Sequence, residues 1–144
     1  MAYLLDVDIL IAFAFPNHEH HERVQTWFAR SHSAGWATCP LTQSAFVRLS
    51  SNPRMTPSVS VTAALDLLGR MTALPRHSFL QDDVEPVREN PYFAGKVVGH
   101  RQITDAHLIL LARRKAHVLA TLDEALPSLI PDGDRHLLVE VLVR

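Results

Sequence analysis

The chain lacks the features that staple small secreted proteins or anchor membrane proteins. Among its 144 residues there is one cysteine, Cys39. No intramolecular disulfide can form, and a reducing cytoplasm is the expected setting. No apolar run approaches the roughly 20 residues of a membrane span. The most apolar early stretch, Ile9 to Phe15, follows Asp6 and Asp8, so no membrane is expected as a partner. No basic leader with a small-residue cleavage site occurs, and no signal peptide is expected. The five glycines form neither a phosphate-cradling loop nor a dinucleotide fingerprint, and there is no Gly-x-Ser-x-Gly elbow. Neither sign of charge dominates. Fourteen Lys plus Arg against fifteen Asp plus Glu give net −1, which advertises no polyanionic partner.

What is present is ordinary for a folded protein: 47% apolar and 20% charged residues. A chain of this size buries roughly 68% of its unfolded surface, and a single domain over residues 1–144 is expected. Apolar runs predict strands at Tyr3 to Val7, Ala34 to Cys39, His77 to Leu80, His117 to Leu122 and Leu137 to Val143. Ile9 to Phe15 either continues the first strand or turns into a short helix. Helical spacing predicts helices over His18 to Ser31, Leu41 to Ser50, Thr56 to Leu74 and Thr104 to Lys115, the last with Thr104 as its N-cap. Strands alternating with helices indicate an α/β fold with a mostly parallel sheet.

Parallel sheets bind ligands beyond the carboxyl ends of their strands. Asp6 and Asp8 end the first strand, Asp105 opens the helix after the Gly99 to Ile103 loop, and Asp123 ends the strand Val118 to Leu122. Singly, Asp123 reads as a cap and Asp105 as a complement to a helix dipole. Asp6 lies between apolar residues, where a charge needs a partner, and the first Lys or Arg in the chain is Arg23. Taken together, the acids repel one another unless a cation fills the site. All-oxygen ligands favour Mg²⁺ or Mn²⁺ over Zn²⁺, and magnesium held by a few acids serves phosphoryl chemistry.

Several tracts carry a family likeness. Leu4-Leu5-Asp6-Val7-Asp8, Thr38-Cys39-Pro40-Leu41-Thr42 with Phe46-Val47-Arg48, Thr104-Asp105-Ala106 and Ala120-Thr121-Leu122-Asp123 resemble PIN-domain proteins. In order and spacing they resemble the VapC-type toxins of bacterial toxin–antitoxin pairs, particularly the actinobacterial branch. The tracts Asn17 to Arg23 and Arg48 to Pro53 resemble that branch too. The resemblance covers most of the chain. It implies a Rossmann-like sheet in order 3-2-1-4-5, a Mg²⁺-dependent endoribonuclease acting on structured RNA such as tRNA or ribosomal RNA, a cognate VapB-type antitoxin, and homodimerisation. By position, Asp6, Asp105 and Asp123 match the family's catalytic and metal-binding acids. Asp8 would brace the loop or hold water, and Thr104 would orient the neighbouring site. Gln43 stands where many relatives carry an acid, so one Mg²⁺ is expected rather than two tightly held ions.

Other signals have plainer readings. His18, His20 and His21 are expected to mark an exposed helix start rather than a zinc site, and Cys39 to pack as a small hydrophobe. Trp27, Trp36, Phe46 and Phe79 are expected in the core. Asp82, Asp83, Glu85 and Glu89 read as a solvated acidic loop. Lys96 and Arg101, just ahead of Asp105, and Arg48 are candidate contacts to RNA phosphates. Asp6-Val7-Asp8 also fits a haloacid-dehalogenase-type phosphatase, although Leu10 stands where that family prefers Thr or Val, and the tracts at Asp105 and Asp123 would be unexplained. A receiver-like module would need a mid-chain phospho-accepting Asp, and none occurs between Glu22 and Asp66. A catalytically weak PIN domain acting only as a binding partner is the third alternative. Setting aside Asp6, Asp105 and Asp123 leaves fourteen cations against twelve acids, so RNA binding is expected to rest on shape and metal more than on bulk charge.

Overall fold

The computed structural model describes residues 1–89, 97, 99–100, 102–135 and 139–142. The chain starts as strand β1 (Tyr3–Leu5) and enters helix α1 (Val7–Ala14) at once. Asp6 makes that switch. Its backbone is extended, and its side chain accepts from the Val7 N–H at 2.8 Å, an N-cap that takes Val7 out of the strand and into the helix. Helix α2 (His21–Ser31) leads through a tight turn to β2 (Trp36–Thr38). Gly35 permits that turn with a φ of 98°.

Pro40 opens α3 (Pro40–Ser50), its missing N–H costing nothing in a first turn. Helix α4 (Val61–Thr72) begins later than the apolar spacing predicts, because the Ser60 hydroxyl accepts from the Ala63 N–H at 3.0 Å and caps it there. Strand β3 (His77–Phe79), the short helix α5 (Pro86–Glu89), helix α6 (Gln102–Arg114), β4 (Val118–Thr121) and β5 (Val139–Val141) complete the described elements. Helix α6 starts before Thr104, so that residue lies in the first turn rather than at the cap. The Gln102 side chain accepts from the Gly99 N–H at 3.2 Å and winds the chain early.

The five strands form one parallel sheet in the order β3-β2-β1-β4-β5, the order the resemblance implies. Alternation along β1 and β4 divides the core between two faces. Leu4 and Leu119 face α6 with Ile109, Leu111 and Ala112. Leu5 and Ala120 face α1 to α4 with Ile9, Leu10, Trp27, Trp36, Phe46, Leu68 and Met71. Phe79 departs from its expected core position. It sits on the sheet's edge strand and is 50% exposed. Helix α4 buries Ala64, Leu68 and Met71 but leaves Val61 and Leu65 in solvent. Among the described residues, no helix is long and apolar enough to cross a membrane.

Candidate active site

Every strand of a parallel sheet ends on the same side, so β1 and β4, which are neighbours, deliver Asp6 and Asp123 to one edge. The Asp6 carboxylate accepts from Val7 N through Oδ1 and from the Thr121 hydroxyl through Oδ2 at 2.8 Å. Asp8, in the first turn of α1, reaches back across the sheet edge. Its Oδ2 accepts from the Leu122 N–H at 3.1 Å and lies 3.2 Å from the Thr121 hydroxyl. Thr121 in turn accepts from the Asp123 N–H at 3.1 Å, and Asp123 Oδ1 accepts from the Ala125 N–H at 2.9 Å. Asp123 is therefore both a turn former and a member of the acidic edge.

The electrostatics tie in the fourth acid. Burial raises the Asp6 carboxyl above its ordinary range, against its hydrogen bonds to Thr121 and Val7, with the Asp123 charge adding to the rise. Burial and then the Asp6 charge push Asp8 up to about 7. Asp105, half-buried on α6, is pushed up to about 6, first by burial and then by Asp6 and Asp123. Asp6 and Asp105 thus each sense carboxylates delivered by other chain segments. Among the described residues, no ion pair joins any of these four acids to a base.

The donor set suits a hard divalent cation. Every donor is a carboxylate oxygen, and buried Asp8 Oδ1 has no hydrogen-bond partner. The side chains are not closed around a point. Among the described residues, no three His, Cys, Asp or Glu side chains are grouped tightly enough to hold an ion between them. Drawing like charges closer costs repulsion that a proton or cation must offset.

Gln43 lies in the first turns of α3, and its Nε2 donates to the Thr38 hydroxyl at 2.9 Å. Thr104 is exposed on α6. Arg48 is exposed on α3 and shares with Gln43, Ser44, Val61 and Leu65 a groove of about 390 Å³. Lys96 and Arg101 lie outside the described residues. Thr121, the hydroxyl that joins three of the acids, has no role legible from the sequence by itself. Its one signal is a polar side chain closing the apolar strand Val118 to Thr121.

The acidic loop departs from expectation. Asp82 pairs with His107 at 2.7 Å, and Asp83 accepts from Arg114 at 3.2 Å. The partners stand two turns apart on α6, so the loop is pinned to that helix rather than merely solvated. The histidine tract is likewise engaged. Helix α2 starts only at His21, whose Nδ1 lies 2.7 Å from the Ala12 carbonyl, and His18 Nδ1 accepts from the His20 N–H at 3.0 Å. Cys39 is fully buried, with Sγ 3.6 Å from the Thr42 hydroxyl.

A parallel sheet in this order, with carboxylates from β1, α6 and the β4 exit on one edge, is the architecture of the PIN-domain nucleases. No protein-family model matches the chain. It is 46% identical over 121 residues to Ribonuclease VapC38 of Mycobacterium tuberculosis, covering 83% of this chain and 84% of that protein. It is 44% identical over 144 residues to Ribonuclease VapC39 of the same organism, covering 99% and 100%. The chain belongs to the VapC ribonuclease family and is an RNA-cleaving hydrolase. Among solved structures, the fold matches DNA-bound VapBC from Salmonella typhimurium with a TM-score of 0.65 at 14% identity, covering 99% and 98% of the chains. It matches VapBC2 of Rickettsia felis bound to a promoter DNA fragment with a TM-score of 0.63 at 11% identity, covering 98% of each chain.

Proposed function

We propose that this ribonuclease is the toxin of a toxin–antitoxin pair, a Mg²⁺-dependent endonuclease that cuts structured RNA, tRNA or ribosomal RNA, at the edge bearing Asp6, Asp105 and Asp123. The observation that carries the reading is the convergence of those three carboxylates from separate segments, with Asp123 raising Asp6, both of them raising Asp105, and no base paired with any of the three among the described residues. Mn²⁺ fits the same all-oxygen donors. Bound there, the cation would lower the pKa of the attacking water and offset charge on the scissile phosphate.

The protein's own residues prepare that edge. Asp6, Asp105 and Asp123 supply the ligand oxygens, directly or through water. Thr121 orients Asp6 through its hydroxyl while the Asp8 carboxylate holds the Leu122 N–H, so the chain leaving β4 carries Asp123 in a fixed place. Gln43 contributes an uncharged amide, which favours one cation over two. Thr104 flanks Asp105, and Arg48, with Lys96 and Arg101, would meet RNA phosphates. A VapB-type antitoxin is the protein partner of this reading, with exposed Val61 and Leu65 as apolar surface available to it. A homodimer belongs to the same reading.

Incubating the purified protein with total RNA, with and without Mg²⁺ or a chelator, and mapping the fragment ends tests the proposal. Discrete cuts that need the metal support it. Intact RNA at every metal concentration refutes it and leaves a binding-only domain.

A further inference from the structure

Gln43 brings a neutral carboxamide to the sheet edge that bears the acids, and a buried relay holds it. Thr38 closes β2, the strand beside β1, and is fully buried. Its hydroxyl oxygen meets two partners: Gln43 Nε2, which donates to it at 2.9 Å, and His77 Nε2, 2.8 Å away on the edge strand β3. The stoichiometry of hydrogens decides the rest. An amide nitrogen only donates, and a threonine hydroxyl has one hydrogen to give. Buried hydroxyl hydrogens find acceptors, and here the acceptor is His77 Nε2. That ring nitrogen is therefore bare, and the imidazole carries its hydrogen on Nδ1. Burial favours the neutral ring by pushing its pKa down, and Trp36 packs against it with ring centroids 4.6 Å apart.

The consequence falls on Gln43. With Nε2 committed to Thr38, the only other polar atom of the carboxamide is Oε1. It has no hydrogen-bond partner among the described residues and is not among the buried unsatisfied atoms. Gln43 is thus presented as an oriented, uncharged acceptor on the first turns of α3, at the sheet edge that carries Asp6. A free carboxamide would offer its oxygen and its amine with equal ease, and the amine repels the cation that the acids attract. The relay removes that ambiguity.

We propose that Thr38, backed by His77 in its Nδ1–H form, is a positioning residue that locks the Gln43 carboxamide with Oε1 outward as a neutral acceptor for water hydrating the divalent cation. This rests on the metal-dependent nuclease reading above. It adds two residues, Thr38 and His77, that touch none of the acids, and it explains how an amide serves where many relatives carry an acid.

Nitrogen-15 NMR of the histidines, Mg²⁺ titration by calorimetry and RNA cleavage test it together. In the unmodified protein, His77 should show the Nδ1–H form. In Q43E the side chain has no hydrogen to give, so Thr38 turns its hydrogen to the carboxylate and His77 moves to the Nε2–H form. Thr38→Val should weaken Mg²⁺ binding and lower kcat by roughly tenfold or more, the usual cost of losing an orienting partner. Thr38→Ser should restore both, and Gln43→Leu should reproduce the loss without disturbing the sheet. An Nε2–H form in the unmodified protein, the same form in Q43E as in wild type, or a Gln43→Leu variant with unchanged Mg²⁺ affinity and kcat overturns the proposal. Asp6→Asn run in parallel separates the two readings. If it is inactive while Gln43→Leu behaves as wild type, the relay alone falls; if it is fully active, the assignment of the metal site to the Asp6 edge and the relay fall together.

Discussion

The Thr121 hydroxyl stands 2.8 Å from Asp6 Oδ2, joining the last residue of β4 to the N-cap of α1 across 115 positions of sequence. The same oxygen accepts from the Asp123 N–H and lies 3.2 Å from Asp8 Oδ2. One side chain therefore sets the relative placement of three acids. Thr121→Val should lower RNA cleavage by roughly tenfold or more, as loss of an outer partner of a metal site does. It should also destabilise the fold by about 1–3 kcal/mol, because the buried Asp6 Oδ2 loses its donor. Thr121→Ser should retain most of both. Cleavage rates and urea midpoints of the two variants check this.

Asp6→Asn should abolish cleavage while leaving the protein folded. The amide oxygen can still accept from the Val7 N–H and keep the cap, but the charge that a cation needs is gone. RNA cleavage beside circular dichroism reads the two effects separately, and full ribonuclease activity in this variant would sink the assignment of Asp6.

Gln43→Glu should tighten Mg²⁺ binding, since it adds a negative charge at the acidic edge. A calorimetric titration identical to wild type would show that the position does not face the cation site.

Stability should depend on pH in an unusual direction. Asp8 and Asp105 titrate higher in the folded protein, near 7 and near 6, than as free carboxylates. The folded state then binds more protons than the unfolded state between about pH 4 and pH 7. Their contribution is complete below the unfolded pKa and is lost as pH rises through the folded values. Without metal, the melting temperature should fall across this window. Adding Mg²⁺ should restore it most at the upper end, where the acids are ionised. Melting curves at several pH values, with chelator and with Mg²⁺, check both parts.

The two ties of the 81–85 loop should differ in weight. The Asp82–His107 pair is mostly shielded, with 12% and 15% of the side chains exposed, so Asp82→Ala should cost about 1.5–3 kcal/mol as the loss of a charged hydrogen bond. Asp83 is open to solvent beside Arg114, and Asp83→Ala should cost distinctly less. Denaturation midpoints of the two variants compare them.

Much of this protein was legible along the chain because its signals are local. Alternating apolar runs announced the parallel sheet, and each acid marked a strand end or helix start by its own neighbours. Even so, boundaries moved where a cap outweighed apolar spacing: Asp6 took Val7 into α1, and Ser60 delayed α4. Phe79 reads as core in sequence but sits half-exposed, because strand order decides which strand becomes an edge. Asp82 and Asp83 read as a solvated patch because nothing in the sequence places α6 beside them. By itself, the sequence determined which residues carry carboxylates and which runs form strands and helices. Only the tertiary structure decided that Thr121 joins Asp6, Asp8 and Asp123, and that His77 stands behind Thr38 and Gln43. Such hydrogen bonds link residues far apart in the chain, and their partners are set by strand order and register rather than by neighbouring sequence.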